Sequence, residues 1–259
     1  MNLALDIGNT RRKTGLFNGT RLVESRLITD WSLDDLLGYC NQTGVRNVVL
    51  SSVVDIDISL NKALTQYFGF LELTHETALP FENKYRTPQS LGKDRLAAVA
   101  GAQALLPRQH CLVVDCGTCI KYDVITASGE YLGGNIAPGA QMRAKAMHAF
   151  TARLPEVEMG MPEDFIGHST ETALQNGAFR GAALEIEGFV ELFKKRFSPL
   201  QLILTGGDAA FFQANLNIPN LILEPNLTLY GLNNILIFNA ATKMSPLRGF
   251  IGDSKTNLG

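Results

Sequence analysis

Cysteine, histidine and tryptophan are scarce in this chain: four, four and one among 259 residues. Cys40, Cys111, Cys116 and Cys119 are too few and too irregularly spaced for a secreted disulfide framework, so they read as free thiols in a reducing cytoplasm. No window approaches the roughly 20 uncharged apolar residues that a spanning helix needs, and the first strand-like run already carries Asp6. A soluble, unexported, cytoplasmic protein that makes no use of a membrane is expected. Positive charge is not in surplus, since Lys plus Arg total 23 against 25 for Asp plus Glu, so nucleic acid is not an expected partner. The chain also lacks GxGxxG after its first strand and GxxxxGK(S/T) before any helix, which excludes the usual dinucleotide and Walker phosphate cradles.

What is present is apolar and ordered: 46% of residues are hydrophobic and 19% charged, enough to bury one large core or two smaller ones. Apolar runs rich in β-branched residues occur at Asn2 to Ile7, Asn47 to Ser51, Cys111 to Asp115 and Gln201 to Thr205. Helical spacing fills Ser32 to Thr43, Leu60 to Phe68, Lys93 to Leu106, Gly139 to Phe150, Thr172 to Arg196 and Thr228 to Ala241. The alternation predicts an α/β class.

One pattern occurs twice. LALDIGNTRRKTGLFNGTRLVESRLI begins at Leu3 and LVVDCGTCIKYDVITASGEYLGGNI at Leu112, 109 positions on. In each, an apolar strand ends in Asp-x-Gly-(Asn/Thr), a second strand leaves at once, and a turn containing glycine sends a third one back. The repeat predicts two similar lobes facing each other, residues 1–90 and 91–244, with a fraying tail at 245–259.

An Asp-x-Gly-Asn-Thr turn presents consecutive backbone N–H groups to a phosphate, and its glycine removes the Cβ that would block the approach. Thr10 adds a hydroxyl, Lys13 an ammonium within reach of the outer phosphates, and Asp6 a carboxylate for Mg2+ or its waters. The second copy offers Asp115, Gly117 and Thr118 from the opposite side. Gly206 and Gly207, ending the strand of LILTGGDAAF, let backbone approach a flat ligand such as adenosine. LGKDRLA opens a helix with Asp94 and Arg95 in its first turn. There Asp94 can accept a proton from a substrate hydroxyl and Arg95 can grip a carboxylate by two prongs, although an Asp in that place is also an ordinary helix start. Cys116 and Cys119 lie between strand-like flanks, away from the helix N-terminus that thiol redox chemistry needs.

Taken in order, DIGNTRRK, LGKDRLA, VVDCGTC, GGNIAPG, TARLP, ILTGGDA and LTLYGL resemble the motif series of the type III pantothenate kinases over nearly the whole chain. The resemblance implies two ribonuclease-H-like lobes with the active site in the cleft between them, as in the acetate and sugar kinase, heat-shock chaperone and actin superfamily. It implies ATP-dependent phosphorylation of pantothenate, the first step toward coenzyme A, with Mg2+ and a monovalent cation, K+ or NH4+. By the same resemblance Asp6, Ile7, Gly8, Asn9, Thr10, Arg11, Arg12 and Lys13 bind the ATP phosphates, with Thr118 on the other side. Asp115 is the monovalent-cation ligand and Asp94 the proton acceptor. Gly92, Lys93, Asp94 and Arg95 form the pantothenate string, joined by Tyr85 and Thr170, and a homodimer is the expected assembly.

The chain departs from that series after the second turn. Where many members read Gly-Thr-Ala-Thr-Thr, Gly117-Thr118-Cys119-Ile120-Lys121 omits two hydroxyls and adds a cation placed to mimic or compete with the monovalent ion. Two other readings stay open: a kinase of the same superfamily for another small hydroxylated substrate, and a nucleotide-binding regulator of transcription.

Overall fold

The computed structural model describes residues 1–8, 12–29, 32–54 and 57–244; the expected tail at 245–259 lies outside them, as do Asn9, Thr10 and Arg11. The chain runs β1 (Asn2–Ile7), β2 (Arg12–Asn18), β3 (Arg21–Ile28), α1 (Leu33–Thr43), β4 (Asn47–Ser52), α2 (Ile58–Tyr67), β5 (Gly69–Glu72) and β6 (Glu82–Asn83). It continues through α3 (Lys93–Leu105), β7 (His110–Cys116), β8 (Cys119–Ile125), β9 (Glu130–Pro138), α4 (Ala140–Ala149), α5 (Thr170–Gln175), α6 (Gly181–Arg196), β10 (Leu200–Thr205), α7 (Ala209–Asn215), β11 (Ile222–Leu223) and α8 (Leu227–Met244). The one long helix expected from Thr172 to Arg196 is two, parted by a π-helical turn at Asn176–Arg180. That turn contains Gly177, a poor helix former, and its Asn176 amide donates to the Asp164 carbonyl of the preceding loop (3.0 Å).

The duplication read from the sequence is present in the sheets. The first has the order β3-β2-β1-β4-β5 and the second β11-β10-β7-β8-β9-β6. Read from its other end, the second repeats the first, with β9, β8, β7, β10 and β11 in the places of β3, β2, β1, β4 and β5. Directions agree too: β1 pairs antiparallel with β2 and parallel with β4, and β7 pairs antiparallel with β8 and parallel with β10.

Side-chain alternation assigns each strand two faces. Leu3, Leu5, Val48 and Leu50 pack outward with α1, while Leu112, Val114, Leu202 and Leu204 pack outward with α4, α6 and α7. The inward residues Ala4, Val49, Val113 and Ile203 share one core with α3 and α8. These two helices therefore fill the space between the sheets. They cross almost backbone to backbone, since a Cβ on Gly231 would run into the Ala97 carbonyl and one on Gly101 into the Leu227 carbonyl. A run of small buried residues, Ala97 to Ala102, makes that approach possible.

The expected division at residues 90 and 91 does not follow the sheets. β6, before it, pairs with β9 of the second sheet. In the other direction α8 reaches back to the first, where the Asn2 amide donates to Asn233 Oδ1 (3.0 Å) and the Asn233 amide to the Gly19 carbonyl (2.9 Å). Helices apolar on two sides need a sheet on each, so neither belongs to one lobe alone.

Candidate active site

The same alternation that builds the inner core carries charge at the strand ends. Asp6 follows Ala4 by two on β1, Asp115 follows Val113 by two on β7, and Lys121 and Asp123 share a face of β8. All four therefore face the space between the sheets, where α3 also begins. Asp6 stands directly opposite Lys13 in the β1–β2 ladder, and Asp115 directly opposite Lys121 in the β7–β8 ladder. The two copies thus each set an aspartate against a lysine.

The lysines then differ. Lys13 Nζ donates to the Pro225 carbonyl (2.5 Å), at the entry to α8. Lys121 Nζ lies 2.7 Å from Asp115 Oδ2 and 2.6 Å from Asp94 Oδ2, tying the second hairpin to the first turn of α3. Burial works against the Lys121 ammonium, but Asp115 and Asp94 outweigh it and hold its pKa above the ordinary lysine value. Asp94 also accepts from the Arg95 amide through Oδ1 (2.9 Å). Its carboxylate folds closely over the helix start, so that a Cβ on Gly92 would push Oδ1 aside.

Asp6 feels both of the other carboxylates. Burial, then the charges of Asp94 and Asp115, push its pKa up to about 6, and Lys13 and Lys121 only partly counter them. Asp6, Asp94 and Asp115, named separately from the sequence, thus meet in one place. Gly206 joins them: its φ of +95° is natural only to glycine, and a Cβ would strike Asp115 Oδ1 and the Cys116 carbonyl. The turn that it forms with Gly207 is strapped to β7 by the Asp208 amide donating to the Cys116 carbonyl (2.9 Å).

Other expected residues are arranged differently. Ile7 and Arg12 are cross-strand partners one step out of phase with Asp6 and Lys13, and they line a cavity of about 380 Å³ against the starts of α1 and α2. Gly8 ends the described part of the first turn, and Thr118 is exposed at the tip of the second. Tyr85 stacks on Tyr131, with ring centroids 6.2 Å apart. Lys93 sits 4.0 Å from Glu72. Thr170 opens α5 as an exposed residue, outside the carboxylate cluster's hydrogen bonds.

Arg95 requires a correction. The two-pronged grip expected for a substrate carboxylate is made to Asp123 instead, from Nε (3.0 and 3.1 Å) and Nη2 (2.6 Å). Only 4% of Arg95 is exposed. A guanidinium so deeply buried needs its counter-charge in place, and Asp123, which also accepts from the Tyr131 hydroxyl (2.6 Å), supplies it.

Ser51 was absent from the sequence-based expectations. It is the neighbour of Asp6 across the β1–β4 ladder, and its buried hydroxyl has no hydrogen-bond partner among the described residues. A hydroxyl two positions after inward Val49 was its available signal. Asp123 had the same kind of signal, lying two positions after Lys121. Cys116 is buried on a strand, where burial raises its thiol pKa, so the Cys-x-x-Cys spacing carries no thiolate chemistry. Among the described residues, no helix is long and apolar enough to cross a membrane.

Comparison with known proteins points one way. A family model for type III pantothenate kinases matches residues 2–192. The type III pantothenate kinase of Phocaeicola vulgatus is 41% identical over 240 residues, covering 92% of this chain and 99% of its own. That of Christiangramia forsetii is 39% identical over 244 residues, with coverage of 92% and 99%. A solved structure from Campylobacter jejuni, described as a conserved Baf family transcriptional activator, aligns with a TM-score of 0.60 at 24% identity, covering 92% of this chain and 99% of that one. That likeness speaks for the fold.

Proposed function

The chain belongs to the type III pantothenate kinases, and from that premise we propose how its residues divide the work of the reaction. The activity is transfer of the γ-phosphoryl group of ATP to the hydroxyl of pantothenate, the first step of coenzyme A biosynthesis. The observation that carries the assignment of roles is the meeting of Asp6, Asp94 and Asp115 between the sheets.

The two Asp-x-Gly turns take the polyphosphate from opposite sides, Asp6 to Lys13 on one and Gly117-Thr118 on the other, with adenosine lying toward Gly206 and Gly207. Asn9, Thr10 and Arg11 belong to this assignment by their sequence alone. Ile7 and Arg12 contribute through backbone, given where their side chains lie. Asp94 accepts the proton of the attacking hydroxyl, and its bonds to Lys121 Nζ and the Arg95 amide fix the direction in which it does so. Tyr85, Gly92 and Lys93 shape the pantothenate side, and Arg95 serves it from behind by holding Tyr85, over whose ring its guanidinium carbon lies at 5.4 Å.

Mg2+ fits the donors present. A magnesium ion bound to nucleotide is held mainly by phosphates and water with one or two carboxylates. Asp6, crowded by two like charges, is a carboxylate that such an ion would relieve; the ion would neutralise charge developing on the phosphates. A free K+ or NH4+ at Asp115 does not fit, because Lys121 Nζ already lies 2.7 Å from that carboxylate.

A homodimer with Thr170 near its interface is part of the proposal. The exposed apolar side chains Phe150, Phe165 and Ile166 between α4 and α5, and Leu184 and Leu192 on α6, support it. Release of ADP from Mg-ATP that depends on added pantothenate tests the whole reading. Release that depends instead on a different hydroxylated small molecule would replace the substrate assignment, and nucleotide binding with no acceptor-dependent release would favour a regulatory role.

A further inference from the structure

We propose that the ammonium of Lys121 is itself the monovalent cation of this active site, so that this kinase binds nucleotide and turns over without free K+ or NH4+. The inference rests on the kinase reading above for its link to turnover, and on geometry for the rest. Lys121 Nζ touches one carboxylate of the second hairpin and one of α3, at 2.7 and 2.6 Å, and thereby does what a bound ion of the same charge would do between them. A lysine ammonium is a compact point charge with three donors, and two of them are directed at Asp115 and Asp94.

Its position is fixed from several sides. Lys121 is the ladder partner of Asp115, its neighbour Asp123 is locked by Arg95, and its own side chain is only 18% exposed. Its counterpart in the first hairpin, Lys13, is the ladder partner of Asp6 and donates to the Pro225 carbonyl. A free cation at Asp115 would have to expel a tethered one or sit against it as a like charge. Lys121 is therefore a positioning residue, setting the direction of the Asp94 carboxylate and supplying positive charge where polyphosphate arrives.

The intact chain decides this without mutation. Mg-ATP affinity and pantothenate-dependent ADP release are measured in tetramethylammonium buffer, with and without saturating KCl or NH4Cl, at constant ionic strength. We expect both to change by less than about twofold; a gain of about tenfold or more in either overturns the proposal. Lys121→Gln, which keeps volume and hydrogen bonding, and Lys121→Ala should lose on the order of a hundredfold in kcat, and Lys121→Ala should recover at least a tenth of it with NH4+ or methylammonium. Variants as active as the parent in cation-free buffer, or a folded Lys121→Ala that no cation restores, also overturn it. If pantothenate elicits no ADP in any salt, the kinase reading fails, and the cation response of Mg-ATP affinity still decides the role of Lys121.

Discussion

Arg95 donates to Asp123 through two nitrogens of its guanidinium, and the two side chains are only 5% and 2% exposed. Burial disfavours the guanidinium charge, but the Asp123 carboxylate outweighs it and raises the Arg95 pKa. Removing one member strands the other in a medium that cannot solvate it, at a cost of about 3 to 5 kcal/mol. Arg95→Met should therefore lower unfolding free energy by at least about 3 kcal/mol in urea titrations. A substrate clamp would behave otherwise: stability nearly intact and the pantothenate KM raised far more than that of ATP.

Asp94 lies at the helix start with one carboxylate oxygen on Lys121 and the other on a backbone amide. A positioned base contributes about 10² to 10⁴ in rate, or roughly 3 to 5 kcal/mol of barrier. Asp94→Asn keeps the shape and one of the two acceptor oxygens, puts an NH2 donor in place of the other, and cannot take the proton. Steady-state kinetics should show kcat falling by that factor with ATP affinity changed less than about threefold. Near-normal turnover would remove Asp94 from the role.

Much of this was legible in the sequence, and for a physical reason. Strand ends announce themselves: an aspartate closing a run such as Leu3 to Leu5 is too costly to bury in a core, so it marks the edge where strand meets solvent or ligand. Because the pattern occurred twice, the two sheets and the facing of Asp6 and Asp115 could be read together. Alternation also carried unread information: Lys121 and Asp123 sit in phase with the inward residues of β8, and counting by twos would have placed both beside α3. What no local pattern contained was the pairing of Arg95 with Asp123, 28 positions away, which depends on where α3 docks. For the same reason the boundary at residue 90 missed the sharing of α3 and α8 between sheets.

That sharing makes the helix crossing a sensitive point. A methyl on Gly231 would meet the Ala97 carbonyl and crowd the Gly101 amide, neither of which can rotate away. Gly231→Ala should cost about 1 to 3 kcal/mol or more, despite the better helix propensity of alanine. Since α3 carries Asp94 at its start, kcat should fall along with Tm. Thermal unfolding combined with turnover checks both; a stabilised variant would mean that the helices do not pack this closely.

Asp6 should destabilise the protein in order to serve it. Its pKa is raised from 3.8 to about 6, because burial and the charges of Asp94 and Asp115 disfavour the ionised form. A carboxyl raised in the folded state binds its proton more tightly there than in the unfolded chain. Its contribution to stability is thus fully present below about pH 4 and is lost as pH rises through about 6, a difference on the order of 2 to 3 kcal/mol. Asp6→Asn, neutral at every pH, should accordingly be more stable than the parent near pH 7.5, by up to that amount. The advantage should shrink to nothing toward pH 4, while kinase activity is largely lost. Urea unfolding of both proteins across this range gives the test: a stability difference that stays constant with pH would mean that Asp6 ionises normally and is not crowded by its two neighbours.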